Sequence, residues 1–580
     1  MPMSIALLLV AAALAPFSEL GGAPQPVAVP SGFPAPPSPS SLAGLASSAG
    51  GGGSLVPVDP LDVAGGGLAE GAQAVDDWTI RVAGGEYEPA ACAVISDGPV
   101  RIEWTAPEGG MLLDVRACRS MPLFDPDFKV ASWNQTALCR LSPGDEVPSG
   151  TIVWLTVWCP PGTPRGERRI RLTARCDASE AAAELRVVSR GFDLDPPSRT
   201  YFFYYLVDTR WVGFYPGNWK KHLSDMRAHG LNAFSVYERP KLIRGEGGLR
   251  PTSKEPAPNS AQSLEEAASA AAEYGFDRPL PFIGGDTLRQ WDVPAALRSD
   301  GGEGPAEGTP AFDELYLAAI GEALSAAEGA GVTLALSTVD EAGGHPERLA
   351  SSRKYLELFK KTFPGALTYQ TLNGRWYRSR EETVLDPWLD IRCYNWLDKE
   401  TIGDTRRAGD QLWLYNGGSG GTGYGEAELY APSLDRFFFG FYAVAVGADG
   451  VGQWAYQYPR RLDVAPSQEV VRGAGTGYYY TYPSATGPVP TVCWEMVREG
   501  IDDARYVDTL RRLSAAAPEG VRQEALQRLE RAVAWVPLGH QTPPRAPRRE
   551  AICCDRKALT ATRERIAAAV EWLLGAAVSE

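Results

Sequence analysis

The sequence predicts a multidomain chain: an N-terminal all-β sandwich, then a (β/α)8 barrel (a TIM barrel), then C-terminal helices. Three observations carry this. Short β-rich runs separated by turn residues fill 76–196. Strand-like runs alternating with helical stretches fill 197–490. Amphipathic helical spacing dominates 491–580. At 580 residues the chain is also too long for one small domain.

The N-terminal segments come first. Residues 1–20 contain the apolar run Ser4–Ala15, the length of a signal-peptide core and too short to span a bilayer. It predicts a secreted or periplasmic protein, although no Lys or Arg precedes it. Residues 21–75 are rich in Gly, Pro, Ser and Ala, which bury too little apolar surface to fold, so they are expected to form a disordered tether. The sandwich is read from the runs WTIRV, EPAACAVIS, VRIEW, MLLDVRA, TIVWLTVWC, RRIRLTARC and AELRVV. Five of the nine cysteines fall between Cys92 and Cys176, as one or two disulfides or as buried thiols. No C-x-x-C spacing occurs and there are four His, so no metal site and no cofactor is expected.

Pro196-Pro197 marks the next boundary. Beyond it, strand-like runs start at Tyr201, Ala233, Leu280, Thr333, Ala366, Ile391, Gln411 and Gly450. Helical stretches are expected at Trp219–His229, Ser263–Tyr274, Phe312–Gly329, Ser351–Thr362 and Ser433–Val446, with Thr309-Pro310 and Pro432-Ser433 as helix starts. Eight units over about 255 residues match the size of a (β/α)8 barrel. After Pro490, WEMVREGIDDARYVDTLRRL, RQEALQRLERAVAWV and 556–574 read as helices packed on the barrel, with Pro537–Pro547 as a loop.

Composition narrows the partners. A net charge of -15 repels phosphate backbones, so no nucleic acid is expected. No segment is apolar enough to cross a membrane. The 16 Trp and 23 Tyr suit either a large core or the flat apolar faces of sugars.

Barrel chemistry sits at the C-terminal ends of strands. There, directly after TLALSTV, stand the adjacent carboxylates Asp340 and Glu341. Acidic pairs are common in this chain, as Glu381-Glu382 and Asp502-Asp503 illustrate; the strand-end position singles this one out. Most glycosidases place two carboxyls on opposite sides of the scissile bond, roughly 5–9.5 Å apart. Sequence neighbours fit that poorly. They fit substrate-assisted hydrolysis of a 2-acetamido sugar, in which both carboxyls work beside one ring.

The stretch WEMVREGIDDARYVDTL, Trp494–Leu510, resembles the signature W-x-x-x-R-E-G-I-x-D-x-x-Y-x-x-x-L of glycoside hydrolase family 123. The resemblance spans about 201–513. It implies a β-sandwich before a (β/α)8 barrel and β-N-acetylgalactosaminidase-like activity by substrate assistance. It also implies roles: Asp340 as acetamido stabiliser and Glu341 as general acid/base. Relatives often carry Pro directly after the pair; here Ala342-Gly343-Gly344-His345-Pro346 follows. Arg498, Glu499 and Asp502 in the signature are expected to form a buried docking network.

Aromatics at other strand ends are candidate sugar contacts. These are Tyr237, Tyr394, Trp396, Trp413, Tyr415, Trp454 and Tyr456, with Asp208 and Arg210 after the first strand. Trp413 and Tyr415 are expected on one face, as are Trp454 and Tyr456. The Gly-rich run Asn416–Glu426 reads as a loop over the barrel mouth, and His345 as a loop residue near the pair. The function expected is a retaining β-N-acetylhexosaminidase acting on a carbohydrate substrate. The alternatives are a glycosidase for sugars without the acetamido group and a non-catalytic carbohydrate-binding protein.

Overall fold

The computed structural model describes residues 54–64, 67–68, 72–124, 130–176, 179–205, 216–246, 248–298, 306–340, 342–343, 345–372, 380–395, 397, 399–415, 432–458, 478–484, 486–536 and 556–578. The expected signal peptide, the Gly-rich run Asn416–Glu426 and the loop Pro537–Pro547 lie outside them.

The N-terminal region is β-rich. One five-stranded sheet has the order Ser54–Val58, Glu86–Ile95, Ile152–Cys159, Leu112–Phe124, Val130–Arg140. The other runs Thr79–Gly84, Ser179–Asp193, Gly166–Cys176, Val100–Trp104, Glu146–Val147. Alternate residues from both sheets, among them Val82, Val153, Leu155, Ile170, Leu172 and Val187, form one apolar layer between them. Ile152–Cys159 is apolar almost throughout because it is buried on both faces: Ile152 and Trp154 join the larger core of the second region. The expected tether is corrected at its C-terminal end. Ser54–Val58 pairs antiparallel with Ala91–Ile95, because Leu55, Val56 and Val58 supply a short apolar strand within the Gly-rich stretch. Cys92, Cys118, Cys139 and Cys159 are free thiols, so the five-cysteine cluster holds no internal disulfide.

The second region is built on a parallel half-barrel sheet flanked by helices. Its strands run in the order Thr200–Tyr205, Gly450–Tyr458, Gln411–Tyr415, Ile391–Tyr394, Leu367–Leu372, Leu334–Leu336, Leu280–Phe282. The run expected from Ala233 forms no regular strand. It is nevertheless bonded on both sides: Ala233 and Ser235 N–H donate to Tyr201 and Phe203 carbonyls at 3.0 Å, and Val236 N–H to Pro281 at 2.8 Å. Helices Trp219–Ala228, Leu264–Glu273 and Pro310–Ala330 fall close to their expected ranges. The fourth, Pro346–Thr362, starts five residues before the expected Ser351, and the fifth, Pro432–Phe437, gives way to a π-helical turn, Phe438–Tyr442, before the expected end at Val446. Ser263 and Glu266 close a capping box on the second, and Gly331 (φ 76°) ends the third. Lys399–Ala408 is a further helix that sequence periodicity left unassigned.

Inside the sheet's curve, large rings meet small residues. A Cβ on Gly450 would lie 2.6 Å from the Trp413 ring, and one on Gly452 2.2 Å from the Phe202 ring. The last strand therefore yields its volume to its neighbours' aromatics.

The signature helix, Val492–Ala515, is capped by Thr491, whose hydroxyl accepts the Trp494 N–H. Its motif residues have structural tasks. Trp494 Nε1 donates to Asp225 at 2.9 Å, and Tyr506 donates to Glu86 at 2.7 Å. Gly500 permits a close crossing, since its Cβ would sit 2.5 Å from the Arg436 carbonyl. Arg563, on the last helix (Arg556–Val578), is buried among carboxylates of both regions. It reaches Glu499 at 2.8 Å and Glu88 at 2.6 Å, and it bonds Asp503, which also takes Arg436 at 2.8 and 3.0 Å. Of the expected docking residues, Glu499 belongs to this network, whereas Arg498 and Asp502 pair within their own helix, with Glu495 and Arg505. Asp503 and Arg563 take the central places.

Candidate active site

Beyond the strand Leu334–Leu336 the chain runs through Ser337 and Thr338, bends at Val339 and turns at Asp340, past the C-terminal end of the strand. That segment is pinned from both sides. Gln370 donates to the Val339 carbonyl, and Arg289 Nε to the Thr338 carbonyl at 3.3 Å. The Thr338 hydroxyl lies 2.7 Å from that of Ser352. Asp340 itself is exposed, and Thr371 donates to its Oδ1 at 3.0 Å. Beyond it, Ala342 and Gly343 are buried, which anchors the far end of the turn. Its partner in the pair, Glu341, lies outside the described residues, as do Asp208, Arg210 and Trp396. His345 is exposed, 3.8 Å from Glu347, as a loop residue.

Beneath Asp340 the sheet interior is layered. Phe202, Tyr369 and Trp413 form a lower layer, with Trp413 ring centroids 5.2 and 5.7 Å from the other two. Above them Tyr204 lies 5.5 Å from Trp454 and 6.1 Å from Tyr415, and its hydroxyl meets that of Tyr369 at 2.5 Å. Burial, reinforced by Cys393 and Asp340, pushes the Tyr204 phenol well above its usual range, so this floor is neutral and polar under an anion.

The aromatic candidates separate on this geometry. Tyr415 and the half-buried Trp454 belong to the upper layer, and Tyr237, half-buried, follows the segment Ala233–Val236. Trp413 shares the inward face with Tyr415, as alternation requires, but it is wholly buried and packs the core. Tyr394 turns outward: its hydroxyl is 3.4 Å from Thr405 on helix Lys399–Ala408, and Cys393 takes the inner position beside Tyr369. Trp454 and Tyr456 do not share a face. Pairing slips between Phe203↔Gln453 and Tyr205↔Gln457, which breaks the alternation. Tyr456 consequently points outward and donates to Asp225 at 2.8 Å.

Two site residues escaped the sequence reading. Thr371 is one; a threonine inside LTYQTL carries no local signal. The other is Glu238, in VYERP directly after Tyr237, a carboxyl at a sheet end that the reading passed over. Glu238 is buried and bonded by Gln262, and burial raises its carboxyl from its ordinary 4.5 to about 7. Because the folded value is the higher one, its contribution to stability is complete below about pH 4.5 and is lost as pH rises through 7. Thermal unfolding at pH 5 and pH 8 should therefore differ less for Glu238→Gln than for the wild type. An equal pH dependence in both proteins would contradict this environment for Glu238.

Among the described residues no cluster of His, Cys, Asp and Glu could hold a metal ion, and no helix is long and apolar enough to cross a membrane. The site offers one anchored carboxylate, neutral hydroxyls beneath it and aromatic walls.

Comparison with known proteins bears on residues 306–510, which match the family model described as "Glycoside hydrolase 123, catalytic domain". Among solved structures, a family 123 glycoside hydrolase from Clostridium perfringens, studied for glycolipid glycan hydrolysis, has the same fold. The TM-score is 0.60 at 10% identity, covering 87% of this chain and 95% of that one. A putative α-galactosidase from Bacteroides fragilis covers 74% of this chain and 78% of its own at 10% identity, with a TM-score of 0.26, too low to carry an argument. No curated protein matches the chain.

Proposed function

From a chain whose residues 306–510 belong to the glycoside hydrolase family 123 catalytic domain, we propose a retaining glycosidase that removes terminal β-linked 2-acetamido sugars, N-acetylgalactosamine in preference. The observation that carries this reading is Asp340, an exposed carboxylate hydrogen-bonded by Thr371 past the C-terminal end of a strand of the parallel sheet, with the Tyr204–Tyr369 hydroxyl pair within the sheet's interior.

The chemistry follows from adjacency. The acetamido oxygen attacks the anomeric carbon as the glycosidic bond breaks, closing an oxazolinium ring. Positive charge grows on the acetamido nitrogen, and Asp340 receives its N–H. With Thr371 on Oδ1, Asp340 enters the reaction already oriented. Glu341 gives its proton to the departing oxygen, then takes one from the water that opens the ring, so configuration is retained. The half-buried Trp454 walls the sugar, backed by the buried Tyr415, and Tyr237 closes the rim.

We read the parallel sheet as a (β/α)8 barrel. The segment Ala233–Val236 supplies the remaining stave, supported by its hydrogen bonds to both neighbouring strands. Export is part of the same reading and rests on Ser4–Ala15.

Nitrophenyl β-N-acetylgalactosaminide and its gluco epimer test the assignment. Release of nitrophenol is expected from both, faster from the galacto substrate. Folded protein that releases none from either would sink it.

A further inference from the structure

The most exposed large apolar side chain among the described residues is Trp291, at 68%. An indole left in water in an otherwise well-packed region calls for a reason. Its place in the fold supplies one. The strand Leu280–Phe282 leads into a short helical turn, Gly284–Thr287, and then a π-helical turn, Leu288–Asp292, that carries Trp291. Such turns frequently mark functional sites.

This segment sits directly on the walls of the candidate site. A Cβ on Gly284 would lie 2.9 Å from the Glu238 carbonyl, and one on Gly285 2.9 Å from the Ser337 carbonyl. Only glycines permit so close an approach. The side chains flanking Trp291 are tied down as well. Arg289 is buried and reaches the Thr338 carbonyl at 3.3 Å, Asp286 at 2.8 Å and Glu307 at 2.6 Å. On the other side, Asp292 accepts from Arg239 at 3.2 Å. Trp291 is thus an exposed ring on a segment whose backbone packs beside the Glu238 and Ser337 carbonyls and whose neighbouring side chains are bonded to Thr338 and Arg239.

We propose that Trp291 is the stacking platform for the aglycone sugar, the residue on the far side of the bond that is cut. A single ring is far too small for a protein partner, which needs upwards of about 1,000 Å² of contact. It matches one pyranose face. Gln290 beside it, exposed and bonded to Asp286 at 2.8 Å, offers the polar rim that sugar hydroxyls require. This inference rests on the glycosidase reading above, and its test is built so that the two can fail separately.

The experiment compares methyl β-N-acetylgalactosaminide with β-1,3- and β-1,4-linked N-acetylgalactosaminyl-galactose disaccharides. The methyl aglycone is too small to reach the platform. Wild type should prefer a disaccharide in kcat/KM. In Trp291→Ala that preference should fall about tenfold, chiefly through KM, the scale of one aromatic contact; Trp291→Phe should keep most of it. An unchanged preference in Trp291→Ala overturns the proposal. If wild type cleaves no substrate, the glycosidase reading falls and the platform is judged by binding. Disaccharide quenching of wild-type indole fluorescence that is absent in Trp291→Phe supports it, and equal or absent quenching in both overturns it.

Discussion

Asp340→Asn is expected to lower turnover of nitrophenyl β-N-acetylgalactosaminide about 10²- to 10⁴-fold without changing the melting temperature. Asp340 is exposed, so the fold does not lean on it. Asparagine keeps the oxygen that accepts from Thr371 and loses only the charge that faces the oxazolinium nitrogen. Near wild-type turnover would mean the reaction does not use this carboxylate. Glu341→Gln should also fail, but with a diagnostic difference. A dinitrophenyl aglycone leaves without a proton, so its first step should survive far better than that of a poor leaving group. Equal losses for good and poor leaving groups would remove Glu341 as the acid.

Arg563→Met is expected to be the most destabilising single change, by about 3–5 kcal/mol, because it leaves buried carboxylates unmatched. Glu86, Glu499 and Asp503 are fully buried around this guanidinium. Arg436 remains to serve Asp503, whereas Glu499 loses its 2.8 Å partner. Burial already lifts the Glu499 carboxyl to about 7, and removing the cation lifts it further. A raised folded value means the stability is present at low pH and lost on the way up, so the deficit should widen from pH 5 to pH 8. Calorimetry should record an apparent melting temperature lower by about 3–4 °C, because the unfolding entropy of a chain this long is large. A shift within about 1 °C would mean the network is not what holds the two regions together.

Much of this arrangement was legible in the sequence, for identifiable reasons. Periodicity located the strands at Leu280, Leu334, Leu367, Ile391, Gln411 and Gly450 because each is a short apolar run bounded by polar helices. The position of Asp340 after a strand was legible because it directly follows the apolar run TLALSTV. The signature around Trp494–Leu510 was legible as a motif, yet its residues serve packing: Trp494 on Asp225, Gly500 at a helix crossing, Tyr506 on Glu86.

What stayed hidden depends on three-dimensional register. The slip opposite Phe203 sent Tyr456 outward while Trp454 stayed within, and nothing local announces such a slip. Which of Cys393 and Tyr394 faces inward depends on how the strand Ile391–Tyr394 sits in the sheet, and Tyr394 turns toward Thr405. Arg563 and Glu86 stand 477 residues apart, so no window of sequence joins them. Trp291 sits in a polar stretch that reads as an ordinary linker. Ser54–Val58 was masked by its Gly-rich surroundings, although a strand needs only an edge to pair with.

The central claim is that the substrate's own acetamido oxygen attacks beside Asp340. Turnover of nitrophenyl glycosides carrying N-acetyl, N-fluoroacetyl, N-difluoroacetyl and N-trifluoroacetyl groups measures this most directly. Each fluorine withdraws electrons from the attacking oxygen, so kcat should fall steeply along the series. A rate that is flat across the four substrates would contradict the account.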